Sequence, residues 1–378
     1  MSVDFIFLDS LSSIDKSQYS KLIHEKDAPF IQYSFLDTLE KTNCVGGLTG
    51  WKSNHLAAYK KKKLSGLLPL YIKYNSHGEF VFDHSWSYAL TRAGRNYYPK
   101  LLTCIPFTPC ETRKFITEES SELFIDEVLS FMGKENIETW HILYPDFAHE
   151  EVLRESKFIE RNGYKFIWRN KQYSEFEDFL KIFKSRQRKN IKNERKKISQ
   201  LNISFEIKDK NDLTVNDWEI FFEFYRDTYE QRLQRPYLNL EFFKQIHLNR
   251  KKLKPVIFFA IHNEKKIAGS LCFHNDNTLY GRHWGSIYDI DSLHFETCFY
   301  QGIEFCIRNN IEKFDPGVQG EHKIRRGFEP YKTKSFHYIK ENDFRKAIND
   351  FCSRERQEID SYIEACKRYT PFNKDYKI

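Results

Sequence analysis

Apolar positions recur along this chain in two rhythms. Short runs of period two predict strands, and longer runs spaced three and four apart predict helices. In the first half the pattern predicts a strand at 3–8, helices at 17–26 and 30–41, and strands at 54–60 and 66–74 joined through the lysine run 60–63. Strand-like GEFVFD (78–83) and YYPKLLTCIPFTPC (97–110) follow, the latter restricted in any ladder by its prolines. A helix at 119–134, a strand at 139–145, a short helix at 147–156 and a strand around 164–168 complete this half.

The second half repeats the grammar. A helix begins near Ser174, a good N-cap, and carries Phe176, Phe179, Leu180, Phe183, Ile191 and Ile198 at helical spacing out to residue 200. A strand at 203–208 leads to a helix at 215–231 with Trp218, Phe221, Phe222 and Tyr225 on one side. After a break at Pro236 come a helix at 239–252 and a hairpin of PVIFFAIH and KKIAGSLCFH. Strand 279–285, a long helix 292–309, a strand at KFDP, a short helix near 321–326 and a strand at KSFHYI follow. The segment 342–366 is amphipathic, with Phe344, Ile348, Phe351, Ile359, Ile363 and Cys366 on one face, and is expected to dock.

Length bounds this reading. At 378 residues the chain exceeds one ordinary core. The expected division is 1–165, then 166–340 including a basic helix 174–200, then a C-terminal helix and tail at 341–378. The N-terminus, with an acid at position 4 and no basic region, does not read as a secretion signal. No apolar run reaches a membrane span, so no transmembrane segment is expected. Eight scattered cysteines without a CxxC pair fit reduced thiols, and the location expected is cytoplasmic.

Charge is concentrated rather than spread. The whole chain carries +7, yet residues 181–197 hold nine Lys/Arg against one acid, Glu194. Lys184, Arg188, Lys192 and Arg195 recur as one cationic stripe that would attract a polyanion with several phosphates. A charge run is ordinarily a solvated helix face, and that bland reading stands beside the anion-binding one.

Reactive residue types crowd into 279–328. In GVQGEHKIRRG (317–327), Gly317 and Gly320 permit a tight turn near a ligand, Glu321 and His322 could exchange protons, and Lys323, Arg325 and Arg326 could hold phosphate or carboxylate. His294 and Glu296 project from the start of the long helix, and Arg282 and His283 from the strand before it. A metal site is not expected, since neither HxxxH nor HExxH occurs, and Cys298 reads as an inert buried thiol. Tyr98 and Lys100, within 97–109, are candidates for the wall of a substrate groove. The stretch from Arg282 to Ile287 begins like the pyrophosphate loop of N-acetyltransferases but has Ile287 where that loop needs Gly or Ala.

SHGEFVFDHSW (76–86), YYPKL (97–101), PFTP (106–109), RKNIKNER (188–195), LYGRHWG (279–285), LHFETCFYQ (293–301) and GVQGEHKIRRGF (317–328) together resemble the signature blocks of one family. It is the bacterial and plant "peptidoglycan biosynthesis/recognition" family of the GNAT (acyl-CoA N-acyltransferase) superfamily, distantly similar to Fem-type aminoacyl transferases. Two positions depart from the family pattern. Lys165-Phe166-Ile167-Trp168 stands where Gln-Phe-His-Trp is usual, and Arg113 lacks a preceding Gly, so the base is not assigned to the strand at 165–168.

The resemblance implies an α/β fold of two tandem GNAT-like domains, each a mixed, mostly antiparallel sheet flanked by helices, with a docked C-terminal helix. It also implies an N-acyltransferase moving an acyl or aminoacyl group to an acceptor amine, a cell-wall precursor being the implied candidate. The donor would be acyl-CoA or aminoacyl-tRNA, with tRNA then a partner, and no metal. Glu321 or His322 would be the general base, and Glu296 and His294 would orient the acceptor. Lys323, Arg325 and Arg326, and the stripe 184–196, would grip phosphates. A precursor-recognition protein without catalysis, and a nucleic-acid-binding protein using the basic helix, are the alternatives; the basic helix lacks the interleaved aromatics of single-strand binders.

Overall fold

In the computed structural model, which describes residues 3–318, 320–368, 370–374 and 376, the chain divides into two units. One comprises residues 1–163 and 332–360, the other 164–331 and 361–378. This differs from a second domain closing at residue 340. The end of the strand Glu329–Ile339 pairs antiparallel with Thr139–Leu143, Ser335 opposite Leu143 and Ile339 opposite Thr139, and so belongs to the first unit. The helix Asn342–Arg368 likewise contributes its residues up to Asp360 to the first unit and the rest to the second.

The first unit holds two sheets. Asp4–Leu8, His55–Lys60, Lys63–Leu68 and Ile116–Thr117 form an antiparallel set in that order. Trp51–Ser53, Tyr71–Lys73, Lys100–Thr103, Thr139–Leu143 and residues 335–339 neighbour one another in that order in the other, in which Lys100–Thr103 and Thr139–Leu143 run parallel. The helix Ser121–Lys134 begins on Ser120, whose hydroxyl accepts the Glu122 N–H, and buries Phe124, Ile125, Val128 and Met132 against Phe115, Trp140, Ile142 and Phe336. The segment 78–83 is not a strand. Gly78 and Phe80 sit at φ of 80° and 61°, which breaks an extended ladder, and Asp83 instead heads an unforeseen helix, His84–Arg92.

In the second unit Ser204–Lys208, Pro255–His262, Lys265–His274 and Thr278–Ser286 form an antiparallel meander. Lys313–Asp315 then joins parallel to Thr278–Ser286 and antiparallel to residues 168–169. Phe166, Trp168, Phe258, Leu279, Phe299, Ile303 and Phe314 lie in the core between sheet and helices. The expected single helix 174–200 is two helices, Phe176–Lys181 and Ser185–Gln200. The chain breaks between them because the Lys184 N–H donates to the Pro371 carbonyl (3.0 Å), which lets Phe183 turn into the core. Val215–Glu230 crosses the meander at Gly285, where any Cβ would come within 2.0 Å of the Phe224 carbonyl oxygen.

Candidate active site

The strand Thr278–Ser286 and the strand Lys313–Asp315 pair only from Thr278 to Tyr280, opposite Lys313 to Asp315. The second strand ends at Asp315 while the first continues to Ser286, so beyond Tyr280 the first runs on with that side unpaired. A bulge opposite Leu271/Cys272 leaves Arg282 without a ladder counterpart, the kind of irregularity that re-aims a side chain. Above the gap runs helix 293–308, whose second turn, Glu296–Tyr300, is π-helical. Such turns insert one extra residue and recur at functional sites.

These elements enclose a cleft of about 440 Å³ lined by, among others, Arg232, Arg282, His283, His294, His322 and Lys323. Among the described lining residues there is no carboxylate. Burial holds half-buried His283 down to about 3, with Arg282 adding to the shift. The same cause holds His294 at about 3, reinforced by His322, Lys323 and Arg326. His322 stands at the rim with its ring 5.9 Å from that of His294 and 5.6 Å from Phe299. Its pKa too is shifted downward, by partial desolvation and then by Lys323 and Arg326. All three imidazoles are therefore neutral near pH 7.

Lys323 is buried, and its Nζ donates to the Gly317 carbonyl at 3.0 Å. Burial brings it down to about 8, against the pull of Asp315. Asp315 itself accepts from Lys165 Nζ at 2.8 Å; burial alone would raise its carboxyl, but Lys165 keeps it low. Gly320, at φ of 98°, makes the turn that sets His322 and Lys323 at the start of the short helix Glu321–Arg326.

Other sequence candidates lie elsewhere. Glu321 is exposed and outside the cleft lining, its Oε1 accepting the Tyr362 hydroxyl at 2.7 Å. Glu296, the first residue of the π-helical turn, is buried and pairs with Arg195 at 3.0 and 3.1 Å, outside the cleft lining. The geometry thus removes both carboxylates from direct contact with a reacting group in the cleft. Arg326 is buried against Glu194 (2.7 Å), and Arg325 is exposed with no side-chain partner among the described residues.

On the basic helix Arg195 is consumed by Glu296 and Glu304, and Lys192 pairs with Glu177 at 2.8 Å. Lys184 Nζ donates to the Thr370 carbonyl at 3.1 Å. Half-buried Arg188 has no side-chain partner among the described residues. The stripe is accordingly less continuous than its spacing suggests.

Lys100 and Tyr98 belong to the first unit; Tyr98 is half-buried, and the reading of Lys100 as a phosphate grip in a groove wall is corrected by its burial. Lys100 is 0% exposed, and its Nζ donates to Glu79 Oε2 (2.8 Å), Ser76 Oγ (2.9 Å) and Asp83. The Tyr98 hydroxyl is hydrogen-bonded to Ser76 (2.7 Å). Lys73, Tyr97, His141 and His337 complete this buried polar cluster, none of them foreseen. The density of ionisable residues in blocks 76–86 and 97–101 is a sequence signal for Glu79, Asp83, Tyr97 and Lys100, whereas Lys73, His141 and His337 lie outside both blocks and join them only through the fold. In the second unit Arg232 lies in the turn just past Val215–Glu230, where helical spacing gives no signal.

No helix among the described residues is long and apolar enough to cross a membrane, and no metal-binding cluster occurs among them. No match was found among curated proteins. In fold the chain is similar to FemX, with a TM-score of 0.52 at 12% identity over 92% of this chain and 100% of that one. A conserved protein of unknown function from Bacteroides thetaiotaomicron gives 0.53 at 12% identity over 89% and 100%. The fold class is mixed α/β in two units. Residues 10–374 match the FemAB-like family, described as peptidoglycan biosynthesis/recognition, and the chain belongs to it.

Proposed function

We propose that this member of the FemAB-like family is a transferase that carries an aminoacyl or acyl group from an activated ester or thioester to an amine of a peptidoglycan precursor, with the chemistry in the cleft of the second unit. The observation that carries this reading is the cleft itself. Neutral His283, His294 and His322 lie beside Arg232, Arg282 and Lys323, with no lining carboxylate among the described residues. A positive, imidazole-lined gap suits a substrate bearing carboxylate or phosphate and a reaction that develops an oxyanion.

In the proposed step the acceptor amine attacks the donor carbonyl and a C–N bond forms. Lys323 stabilises the oxyanion, and His322 takes the proton released by the amine, with His294 beside it. Collapse breaks the ester C–O bond (C–S for a thioester), and the proton passes from the imidazolium to the leaving group. Lys323 and Arg326 disfavour a lasting imidazolium, so His322 releases that proton readily. Arg282 and His283 face the anionic part of the substrate. The departure of Ile287 from the pyrophosphate-loop pattern favours aminoacyl-tRNA over acyl-CoA as donor.

The test is a transfer assay with purified protein, a soluble peptidoglycan precursor, and either aminoacyl-tRNA or acyl-CoA, the product being read by mass spectrometry. The expected result is a mass gain on the precursor that falls by about 10²-fold or more in His322→Ala. Tight precursor binding without transfer from either donor would overturn catalysis and leave the recognition reading in its place.

A further inference from the structure

The basic helix Ser185–Gln200 contains one acid among its cations, and that acid is not a spacer. Glu194 Oε1 accepts Arg326 Nη2 at 2.7 Å, and Glu194 Oε2 accepts the Tyr300 hydroxyl. Arg326 in turn donates through Nη1 to the His322 carbonyl at 2.8 Å. Its guanidinium lies 3.2 Å from the centroid of the Phe295 ring, and that ring is 5.6 Å from His322. The next residue on the same helix, Arg195, takes Glu296 at 3.0 and 3.1 Å and Glu304 at 2.6 Å. Glu296 and Tyr300 are the first and last residues of the π-helical turn. Consecutive residues of opposite charge therefore hold the two ends of that turn, and one of them also holds the segment bearing His322 and Lys323.

We infer that Glu194 is a positioning residue for the transfer site: through Arg326 it fixes the backbone that carries His322 and Lys323, and through Tyr300 it fixes the end of the π-helical turn above the cleft. This rests on the reading of the cleft as the acyl-transfer site. Arg326 is 5% exposed and Glu194 half-buried, so water does not readily replace the pair. Without Glu194, Arg326 keeps its bond to the His322 carbonyl but loses the anchor that orients its guanidinium. Displacements of about 1 Å at reacting groups are enough to cost large factors in rate. The concentration of cations along the rest of the helix then has a counterpart: the one acid is spent on the site.

The test combines kinetics with a titration that needs no turnover. Glu194→Gln keeps the side chain's shape and removes its charge. It is expected to lower kcat about tenfold or more while KM stays within about threefold. Tyr300→Phe, which deletes a single hydroxyl from the same network, lowers kcat by less and serves if Glu194→Gln does not fold. Arg326→Lys keeps the cation but cannot span both Glu194 and the His322 carbonyl, so it falls between wild type and Arg326→Met.

His322 is followed by NMR of ¹⁵N-histidine-labelled protein. Its titration midpoint moves down in Glu194→Gln, where Arg326 is left uncompensated, and up in Arg326→Met, where the cation is gone. Adding Glu194→Gln to Arg326→Met produces little further movement. Should wild-type protein transfer nothing, the proposed function fails and the His322 titration still decides the coupling. An unmoved His322 midpoint in both single variants, or a kcat within about twofold of wild type in Glu194→Gln, would overturn the inference.

Discussion

Replacing Lys100 by Met tests the buried cluster of the first unit most directly. The side chain is 0% exposed, and the similar length of Met keeps the lost volume small. The perturbation is therefore electrostatic. It removes the ammonium shared by Glu79 and Asp83 and leaves Glu79 with Lys73 at 3.9 Å and Asp83 with the Tyr97 hydroxyl at 2.6 Å. Stripping one partner from a buried ion pair costs about 3–5 kcal/mol.

The carboxylates can escape part of that cost by taking up protons, which makes the loss depend on pH. Burial already lifts Glu79 to about 7, so it protonates with little further shift. Asp83 is different: burial pushes its carboxyl up, but Lys100 outweighs that and holds it far below the usual range. A depressed carboxyl stabilises the fold above its unfolded value and loses that contribution as pH falls through the folded one. Without Lys100 the Asp83 carboxyl rises, so the variant loses stability as pH climbs past the unfolded value. The gap between wild type and variant then widens from about 1–2 kcal/mol near pH 4 to about 3–5 kcal/mol near pH 8. Amide hydrogen exchange in Lys100–Thr103 and Thr139–Leu143 reads the opening free energy of this unit by itself. A gap below about 1 kcal/mol at pH 8, or an equal gap at both pH values, would refute the ionic account.

Two further outcomes follow from the packing. Glu79 has its carboxyl raised to about 7, so folded-state stability falls as pH rises from about 4.5 to 7. Glu79→Gln should therefore gain on wild type by a few kcal/mol, in order of magnitude, between pH 5 and pH 7, as urea titration would show; a constant difference would contradict the assignment. Gly285→Ala places a methyl against the backbone of Val215–Glu230, with Phe224 O only 2.0 Å from the new Cβ. It should destabilise the second unit by roughly 1–3 kcal/mol or more in thermal unfolding, and a neutral result would mean that the helix shifts at little cost.

The segment 279–328 shows how far local pattern reaches. The strand, the long helix and the turn after Gly320 are legible because period-two and helical spacings are written in adjacent residues, and the turn needs a residue tolerant of φ near 98°. His294, His322, Lys323, Arg282 and His283 were legible as site candidates by residue type, and all five line the cleft. Glu321 and Glu296 have the same chemistry on paper. Their fate turned on partners far along the chain, Tyr362 for one and Arg195 for the other. The break at residues 182–184 escaped the pattern because both sides keep helical spacing, and the bond that ends the first helix comes from Pro371.

Charge marks the same boundary. The sequence by itself determined that one helix carries nearly all of the excess positive charge, and that two α/β grammars follow one another, because composition and periodicity are local quantities. It could not say which cations meet water and which meet acids. Lys100 looked like an anion grip and proved a buried counter-ion, while Glu194, a lone acid in a basic run, holds Arg326 and Tyr300. Tertiary structure decided those roles, because an ionic interaction depends on distance and on removal from solvent, and both are set by chain segments many residues apart.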